Sequence, residues 1–362
     1  MSGLYVHIPF CKKRCLYCDF FSTTLLERRE AYTEAVLTEI AARRNEASEP
    51  VRTIYIGGGT PSQLDAELIR CIIEAIGTDE AEEITMELNP GDATQEYLQT
   101  IRLAGVNRLS IGIQSFQDRL LELIGRRHNA QQAIEAVQMA KEAGFENISI
   151  DLMYALPTQT MKEWEADTET ALRLGILHIS TYGLMYEEGT ALTQLRDLGQ
   201  ITPVDEETEN TMYDRLCERL KQAGFVHYEV SNFALPGYQS KHNSSYWNGT
   251  PYIGIGAGAH SYSGHVRSWN PSDLEAYIRS IQASTLQRES ETLTERDLYN
   301  ERIMLGLRTS RGISGPFPGH QCRSIIERLT QNGLLRETDD HRIVATQKGI
   351  HILNRIIEDL MI

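Results

Sequence analysis

Three things are scarce in this sequence, and each scarcity narrows its reading. Apolar runs are short: none of the 362 residues lies in the ~18 to 20 uninterrupted apolar positions that a bilayer span requires. No transmembrane segment is expected. Positive charge is short as well, with 35 Lys+Arg against 50 Asp+Glu and a formal charge of −15. Such a surface repels phosphate backbones unless a local basic patch overrides it, so no nucleic-acid partner is expected. The opening stretch Met1-Ser2-Gly3-Leu4-Tyr5-Val6-His7-Ile8-Pro9-Phe10 has neither a basic leader nor a long apolar core, and no secretory signal is expected. The expected setting is cytoplasmic and thiol-reducing, where six cysteines read as metal ligands or core residues rather than disulfides. What remains is ordinary for a globular protein, 41% hydrophobic and 23% charged, with a length that fits one large domain and a smaller one.

β-rich runs alternate with helical stretches through the first half: Gly3 to Ile8, Thr53 to Ile56, Glu83 to Leu88, Arg108 to Ile113, Asn147 to Met153 and His178 to Leu184. Between them lie amphipathic segments near 30–45, 64–76, 94–104, 130–143 and 161–174. Repetition of that unit predicts an α/β fold with a parallel sheet. Gly105, Gly144 and Gly175 each sit between a helical run and a strand, as left-handed residues closing crossover helices do. No Gly-x-Gly-x-x-Gly turn opens the first unit, which favours a partial (β/α)6 TIM-like barrel over residues 1–190 rather than a doubly wound sheet. Residues 191–285 read as a smaller α+β extension, with a helix from the acidic run at 205–209 and short antiparallel strands and loops over 226–270. Residues 286–362 read as mainly helical and winged-helix-like, with a hairpin around Asp339-Asp340.

Cys11, Cys15 and Cys18 form C-x3-C-x2-C in the loop after the first strand, with Lys12, Lys13 and Arg14 among them. One loop can wrap three thiolates around one metal centre. A 4Fe-4S cluster held by three leaves an iron open to an external ligand, and a loop at the C-terminal end of a barrel strand is where this fold carries its active sites. The nearby cations favour the thiolate forms. The alternatives are a zinc knot, for which His7 is the near fourth candidate, or three unrelated thiols. Cys71, Cys217 and Cys322 stand singly in helical segments and read as core residues.

Other candidates fall at successive strand ends. Gly57-Gly58-Gly59-Thr60-Pro61 is either a tight turn or a place where a charged ligand group approaches backbone N–H closely. Glu87 is either a surface carboxylate or an acceptor for ribose hydroxyls. Gln114, Arg126 and Asp151 converge on one mouth, with Arg126 placed to neutralise a ligand carboxylate and to partner a buried Asp151. Arg127 and His128 read as solvated neighbours. Further on, His242-Asn243-Ser244-Ser245-Tyr246-Trp247 sets a histidine among aromatics. It suits either an axial haem ligand beside flat apolar rings or a hydrogen-bonded core residue. His260 and His265 are weaker candidates.

The three-cysteine spacing resembles the radical S-adenosylmethionine superfamily. In it the amino and carboxylate groups of S-adenosylmethionine chelate the open iron, and reduction yields a 5′-deoxyadenosyl radical. The resemblance implies that Tyr17 contacts the adenine, that Gly58, Gly59 and Thr60 meet the ligand amine, and that Tyr5 belongs to the cofactor site. The longer string is more specific: Tyr5-Val6-His7-Ile8-Pro9-Phe10-Cys11, the Gly-Gly-Gly-Thr-Pro run, Asn89-Pro90-Gly91, Ser110 to Phe116, Tyr228 to Phe233 and the HNxxYW segment. From residue 4 to about 270 it resembles the HemW family of haem chaperones, relatives of the oxygen-independent coproporphyrinogen III dehydrogenases. The dehydrogenases carry a further cysteine two places after the third cluster ligand and an N-terminal extension; here that place is Phe20, and Cys11 comes almost at once. The resemblance therefore implies haem as cargo bound through His242, haem-accepting apoproteins as partners, a 4Fe-4S cluster and S-adenosylmethionine as cofactors. Coproporphyrinogen oxidation is not expected, and a radical enzyme acting on another small substrate is the remaining alternative. A homodimer and peripheral attachment at the inner face of the membrane are compatible with it, although no basic amphipathic anchor is evident.

Overall fold

The computed structural model describes residues 2–47, 49–285, 288–317 and 319–362. Strands and helices alternate through the first half as β1 (Ser2–Ile8), α1 (Arg29–Arg43), β2 (Val51–Gly58), α2 (Ala66–Ile76), β3 (Glu83–Leu88), α3 (Gln95–Leu103), β4 (Arg108–Gln114), α4 (Asp118–Leu123), α5 (Ala130–Glu142), β5 (Asn147–Tyr154), α6 (Met161–Arg173) and β6 (His178–Gly183). Each neighbouring pair from β1 to β6 is parallel. Period-two alternation sorts the side chains. In β4, Leu109, Ile111 and Ile113 are fully buried in the main core, while Ser110, Gly112 and Gln114 face a central cavity. In β5, Ile148, Ile150 and Leu152 are buried and Asp151 and Met153 face the cavity. Reciprocal capping boxes start α5 (Asn129 with Gln132) and α6 (Thr160 with Glu163). Gly144 and Gly175, just past α5 and α6, have φ of +88° and +63°, the left-handed stops that the sequence predicts.

The second half continues with α7 (Ala191–Asp197), α8 (Glu206–Gln222), β7 (Val226–Glu229), β8 (Asn232–Ala234), α9 (Lys241–Trp247), β9 (Tyr252–Ile255), β10 (His260–Tyr262), β11 (Val266–Trp269), α10 (Leu274–Gln282) and β12 (Glu289–Thr292). These strands extend the same sheet, in the order β12-β11-β10-β9-β1-β2-β3-β4-β5-β6-β8-β7. The 191–285 stretch thus adds to both flanks of the barrel sheet rather than standing beside it. Two expectations for 226–270 are corrected. Strand β9 runs parallel to β1, making seven adjacent parallel strands; a four-residue apolar run announces a strand but not its direction. Residues 241–247 form helix α9, because the Glu83 carboxylate accepts the amides of Lys241 and His242, each at 2.9 Å, while Ser240 Oγ accepts the Asn243 amide. A distant acid at the helix N-terminus outweighs the local aromatic composition.

A second apolar core, including Ile303, Leu307, Leu329, Leu335, Ile356 and Leu360, lies within the C-terminal elements α11 (Glu295–Gly306), α12 (Gly319–Gln331), β13 (Leu335–Glu337), β14 (Ile343–Ala345), α13 (Gln347–Ile350) and α14 (Leu353–Leu360). β13 and β14 pair as the antiparallel hairpin expected around Asp339-Asp340. Among the described residues no helix is long and apolar enough to cross a membrane.

Glu39 of α1 fastens the late strands to the start of the barrel. Its buried carboxylate accepts from Arg43 Nη1 (2.7 Å), the Gly256 amide (2.9 Å), Asn270 Nδ2 (2.9 Å) and the Tyr277 hydroxyl (2.6 Å). Arg43, also buried, donates to Gly254 O and Ser261 Oγ. Removing one member of a buried pair strands the other charge. Glu39→Ala is therefore expected to lower unfolding stability by about 3–5 kcal/mol, read as a lower urea midpoint at unchanged m. A loss below ~1 kcal/mol would show that the network does not hold this flank.

Candidate cofactor site

The cysteine loop follows β1 directly and is held at several points. Cys11 N donates to Thr23 O (2.8 Å), Thr23 N to Pro9 O (2.7 Å), Leu16 N to Ile124 O (3.1 Å), and Leu192 N to Leu16 O (2.8 Å). Leu16 presses on Gly125, which has φ of +77° and where a Cβ would meet Leu16 Cγ at 3.2 Å. Below the loop a small apolar cluster of Leu120, Ile124, Met153, Leu156, Leu184 and Leu192 supports it. Cys11, Cys15 and Cys18 open together onto a cavity of about 440 Å³ at the C-terminal ends of the parallel strands. Tyr17, Gly58, Gly59, Thr60, Glu87, Gln114, Arg126 and Asp151 line the same cavity, so most of the predicted site residues converge.

The thiols are not activated as the sequence implies. Burial, foremost, pushes the Cys11 thiol up and the Cys18 thiol to about 11, with neighbouring cysteines adding to both shifts. Lys12, Lys13 and Arg14 are exposed, and Arg14 donates to Ser22 Oγ and Phe20 O. Thr60 Oγ1 lies 3.4 Å from Cys11 Sγ, and Arg126 Nη1 donates to Cys15 Sγ at 3.4 Å. Thiols raised in this way need a cationic inorganic centre beside them to become thiolate ligands. Among the described residues no group of three His, Cys, Asp or Glu side chains could hold a metal ion. A four-iron cube receives each thiolate at a separate corner and does not require that convergence. His7 is no fourth zinc ligand: its Nε2 donates to Phe21 O and its Nδ1 accepts from the Tyr5 hydroxyl.

Several predicted roles change. The Gly58 amide donates to Glu87 Oε2 (3.0 Å) and the Gly59 amide to Ile8 O (2.9 Å), so this run offers a ligand carbonyl oxygen rather than N–H, an acceptor that suits an amine. A Cβ on Gly59 would lie 2.7 Å from Pro9 O and 3.0 Å from Cys11 Sγ, so glycine is required by the close passage of the cysteine loop. Glu87 also accepts from the Tyr55 hydroxyl (2.9 Å); burial, with the Asp151 charge behind it, raises its pKa to about 7. Asp151 is hydrogen-bonded to Ser110 and Ser180, and no ion pair joins it to Arg126 among the described residues. Arg126 instead donates to Gly112 O, and its buried Nε has no partner. Gln114 sits at the β4 bulge with φ of +73°, a strained turn that aims its side chain into the cavity. Arg127 and His128 are not solvated: Arg127 pairs with Asp92 at 2.9 Å, and His128 is buried against Ile113 O with its pKa lowered to about 3 by burial and by Arg126. Tyr5 does not line the cavity, its hydroxyl being held by His7.

His242 lies elsewhere, fully buried on α9, with Nδ1 hydrogen-bonded to Thr53 Oγ1 (2.9 Å) and Nε2 to the Tyr246 hydroxyl (2.8 Å). Burial and then Arg108 lower its pKa to about 3, so the ring is neutral. Neither nitrogen is free, and an iron could be reached only if the Tyr246 or Thr53 bond opened. His260 and His265 are exposed. Of the lone cysteines, Cys322 is buried in the second core, whereas Cys71 and Cys217 are half-buried. Residues the sequence reading missed include Tyr182, Met185 and Glu187, which line the cavity from β6 and the segment after it. No local motif marks them.

Residues 5–171 match the model of the radical SAM superfamily. The chain is 38% identical to the heme chaperone HemW of Lactococcus lactis, covering 100% of this chain and 97% of that protein. It is 35% identical to the heme chaperone HemW of Bacillus subtilis, covering 98% of each. Among solved structures, coproporphyrinogen III oxidase (HemN) of Escherichia coli, a radical SAM enzyme, superposes with a TM-score of 0.84. That match covers 99% of this chain and 90% of that one at 23% identity, and at that level the likeness is one of fold.

The raised Glu87 pKa has a consequence for stability. The folded chain keeps this proton up to about pH 7, whereas the unfolded chain releases it near the ordinary value of 4.5. Between those values the folded state binds more protons, so this group's contribution falls as pH rises. Glu87→Gln is expected to flatten the loss of stability of the cofactor-free protein between pH 5 and 8 by up to ~3 kcal/mol, at about 1.4 kcal/mol per pKa unit. Parallel stability profiles for the two proteins would place the carboxyl outside this linkage.

Proposed function

The chain belongs to the HemW family of the radical SAM superfamily, and from that membership we propose that it binds haem as cargo and delivers it to haem-dependent apoproteins, respiratory ones among them. It carries out this role with a 4Fe-4S cluster and S-adenosylmethionine held at the strand-end cavity. The observation that carries the cofactor assignment is the opening of three loop thiols onto one cavity that also contains a buried guanidinium with an unpartnered Nε.

Cys11, Cys15 and Cys18 are the residues to hold the cluster, leaving one iron for the ligand. Arg126 Nε suits the ligand carboxylate, the carbonyls of Gly58 and Gly59 suit its amine, Tyr17 its base, and Glu87, Gln114 and Asp151 its hydroxyls. Bound there, the pair supplies one-electron chemistry at the sulfonium. The chain's own residues desolvate the site, orient the nucleoside and keep the three sulfurs on a loop whose backbone is pinned. Phe20 stands at the mouth, 67% exposed, where a dehydrogenase would place another cysteine. It offers no thiol, which supports haem transfer over coproporphyrinogen oxidation.

Anaerobic reconstitution is expected to give a brown protein with cluster absorbance that Cys15→Ala abolishes, and added hemin is expected to give a stoichiometric Soret band. Coproporphyrinogen III with reductant and S-adenosylmethionine is expected to yield no protoporphyrinogen when an authentic dehydrogenase does. Product formation would move the chain to the dehydrogenase class. Full iron and sulfide content in Cys15→Ala would overturn the ligand assignment.

A further inference from the structure

A second cavity, of about 690 Å³, lies between α9, the β9–β11 strands and the C-terminal elements α11 and β13–β14. Its size falls within the ~300–1,000 Å³ of small-molecule sites. One wall is aromatic. Trp247 follows Tyr246 at the end of α9, Tyr246 meets Tyr252 edge-on at 4.7 Å between centroids, and Tyr252 lies 6.2 Å from Tyr262. Arg267 lies over the Tyr262 ring, 5.9 Å from its centroid, and none of the cluster cysteines lines the cavity.

The same cavity is cationic. Arg302, Arg311 and Arg342 all line the cavity, and among the described residues none of them is paired with a carboxylate. Their partners are neutral: Arg302 donates to Ser314 O (2.9 Å) and Pro316 O (2.8 Å), Arg342 to Arg311 O (2.6 Å) and Gly312 O (2.7 Å), and Arg311 to Asn248 Oδ1 (3.0 Å). The acid in the cavity wall, Glu301, is already taken by Arg267 at 2.7 Å. In a chain of net charge −15, three guanidiniums without a counter-ion gathered on one cavity call for an anion brought from outside. Backbone carbonyls hold two of the forks in place, which is the preorganisation that carboxylate recognition by arginine uses.

Aromatic rings and fixed guanidiniums lining one cavity suit a ligand with a broad hydrophobic ring system and carboxylates at its edge. We propose that this cavity is the tetrapyrrole site of the protein, with Trp247, Tyr252 and Tyr262 against the macrocycle and Arg302, Arg311 and Arg342 on its propionates. The proposal deepens the haem-carrier reading and rests on it, and it places recognition of the cargo in the ring and its carboxylates. Axial ligation of iron is a separate matter. The C-terminal elements then have a direct role, since they supply all three cations.

Iron-free protoporphyrin IX is the probe, because it makes no axial bond. Titrated against the full chain by fluorescence quenching, the diacid is expected to bind at least tenfold more tightly than its dimethyl ester. Arg311→Gln is expected to weaken the diacid at least fivefold, and Arg302→Gln with Arg311→Gln at least twentyfold, at unchanged far-ultraviolet circular dichroism. Neither substitution is expected to alter the affinity for the ester. Equal binding of diacid and ester by the native chain overturns the proposal, as does native diacid affinity in a folded double variant; should that variant not fold, the ester comparison decides alone. Either negative result beside a stoichiometric hemin Soret band removes the cavity and leaves the haem reading standing. Absence of hemin binding by the native chain overturns that reading itself.

Discussion

Buried charge that the protein does not neutralise by itself is the condition on which the strand-end cavity depends. Glu87 and Asp151 are carboxyls withdrawn from water, and Arg126 is a guanidinium withdrawn beside them, yet no ion pair joins them among the described residues. Desolvation of isolated charges costs several kcal/mol, and the protein meets it in part by raising the carboxyl pKa values and in part through hydroxyls from Tyr55, Ser110 and Ser180. What is left over is directional: an unpartnered Nε on Arg126 and, across the same space, the thiols of Cys11 and Cys18, both raised by burial. The proposed zwitterionic nucleoside on a cationic cluster would supply both missing signs at once.

Parallel strands make that arrangement possible by placing every odd or even side chain of several strands at one rim. The loop after β1 brings the sulfurs, the end of β2 brings backbone carbonyls, and β3, β4 and β5 bring Glu87, Gln114 and Asp151. Position along the chain is unimportant; register across the sheet is what counts. Glu87 is opposite Ser110, and Gly112 is opposite Asp151, so a one-residue slip would send these groups to the helix face and apolar residues into the cavity. The dense apolar packing of Ile54, Ile56, Leu109, Ile111 and Ile150 under the helices prevents that slip.

This geometry also explains which parts of the fold and site were legible beforehand. Strands β1 to β6 and their helices follow from hydrophobic period and from glycines that only a left-handed stop requires, as at Gly144 and Gly175. The three cysteines stand out by their spacing, and Glu87, Gln114 and Asp151 by their places on successive strands with Arg126 just after one; the fold gathers all of them on one cavity. Hidden from the sequence were effects that arise only on closure. The α9 helix depends on Glu83, more than 150 positions earlier, and an aromatic, Ser-rich segment does not advertise it. The burial of His128 against Ile113 O and the pairing of Arg127 with Asp92 are likewise products of folding, invisible in a string of three basic residues. The strand direction of β9 is set by its docking on β1, not by its four residues.

The histidine of the HNxxYW segment shows how one helical turn divides two duties. In α9 the positions of His242 and Tyr246 are four apart and lie on one face, so the imidazole points into the barrel toward Thr53 and the tyrosine hydroxyl caps it, while the neighbouring Trp247 reaches the outer cavity. A neutral imidazole follows from burial and from Arg108, whose Nε and Nη1 are themselves without partners in the barrel interior. Protonation, which would break the acceptor bond, is thereby opposed from two sides. The segment joins a polar barrel interior to an aromatic wall through a single Tyr246 hydroxyl. Among the described residues no other side chain holds the Nε2 of His242.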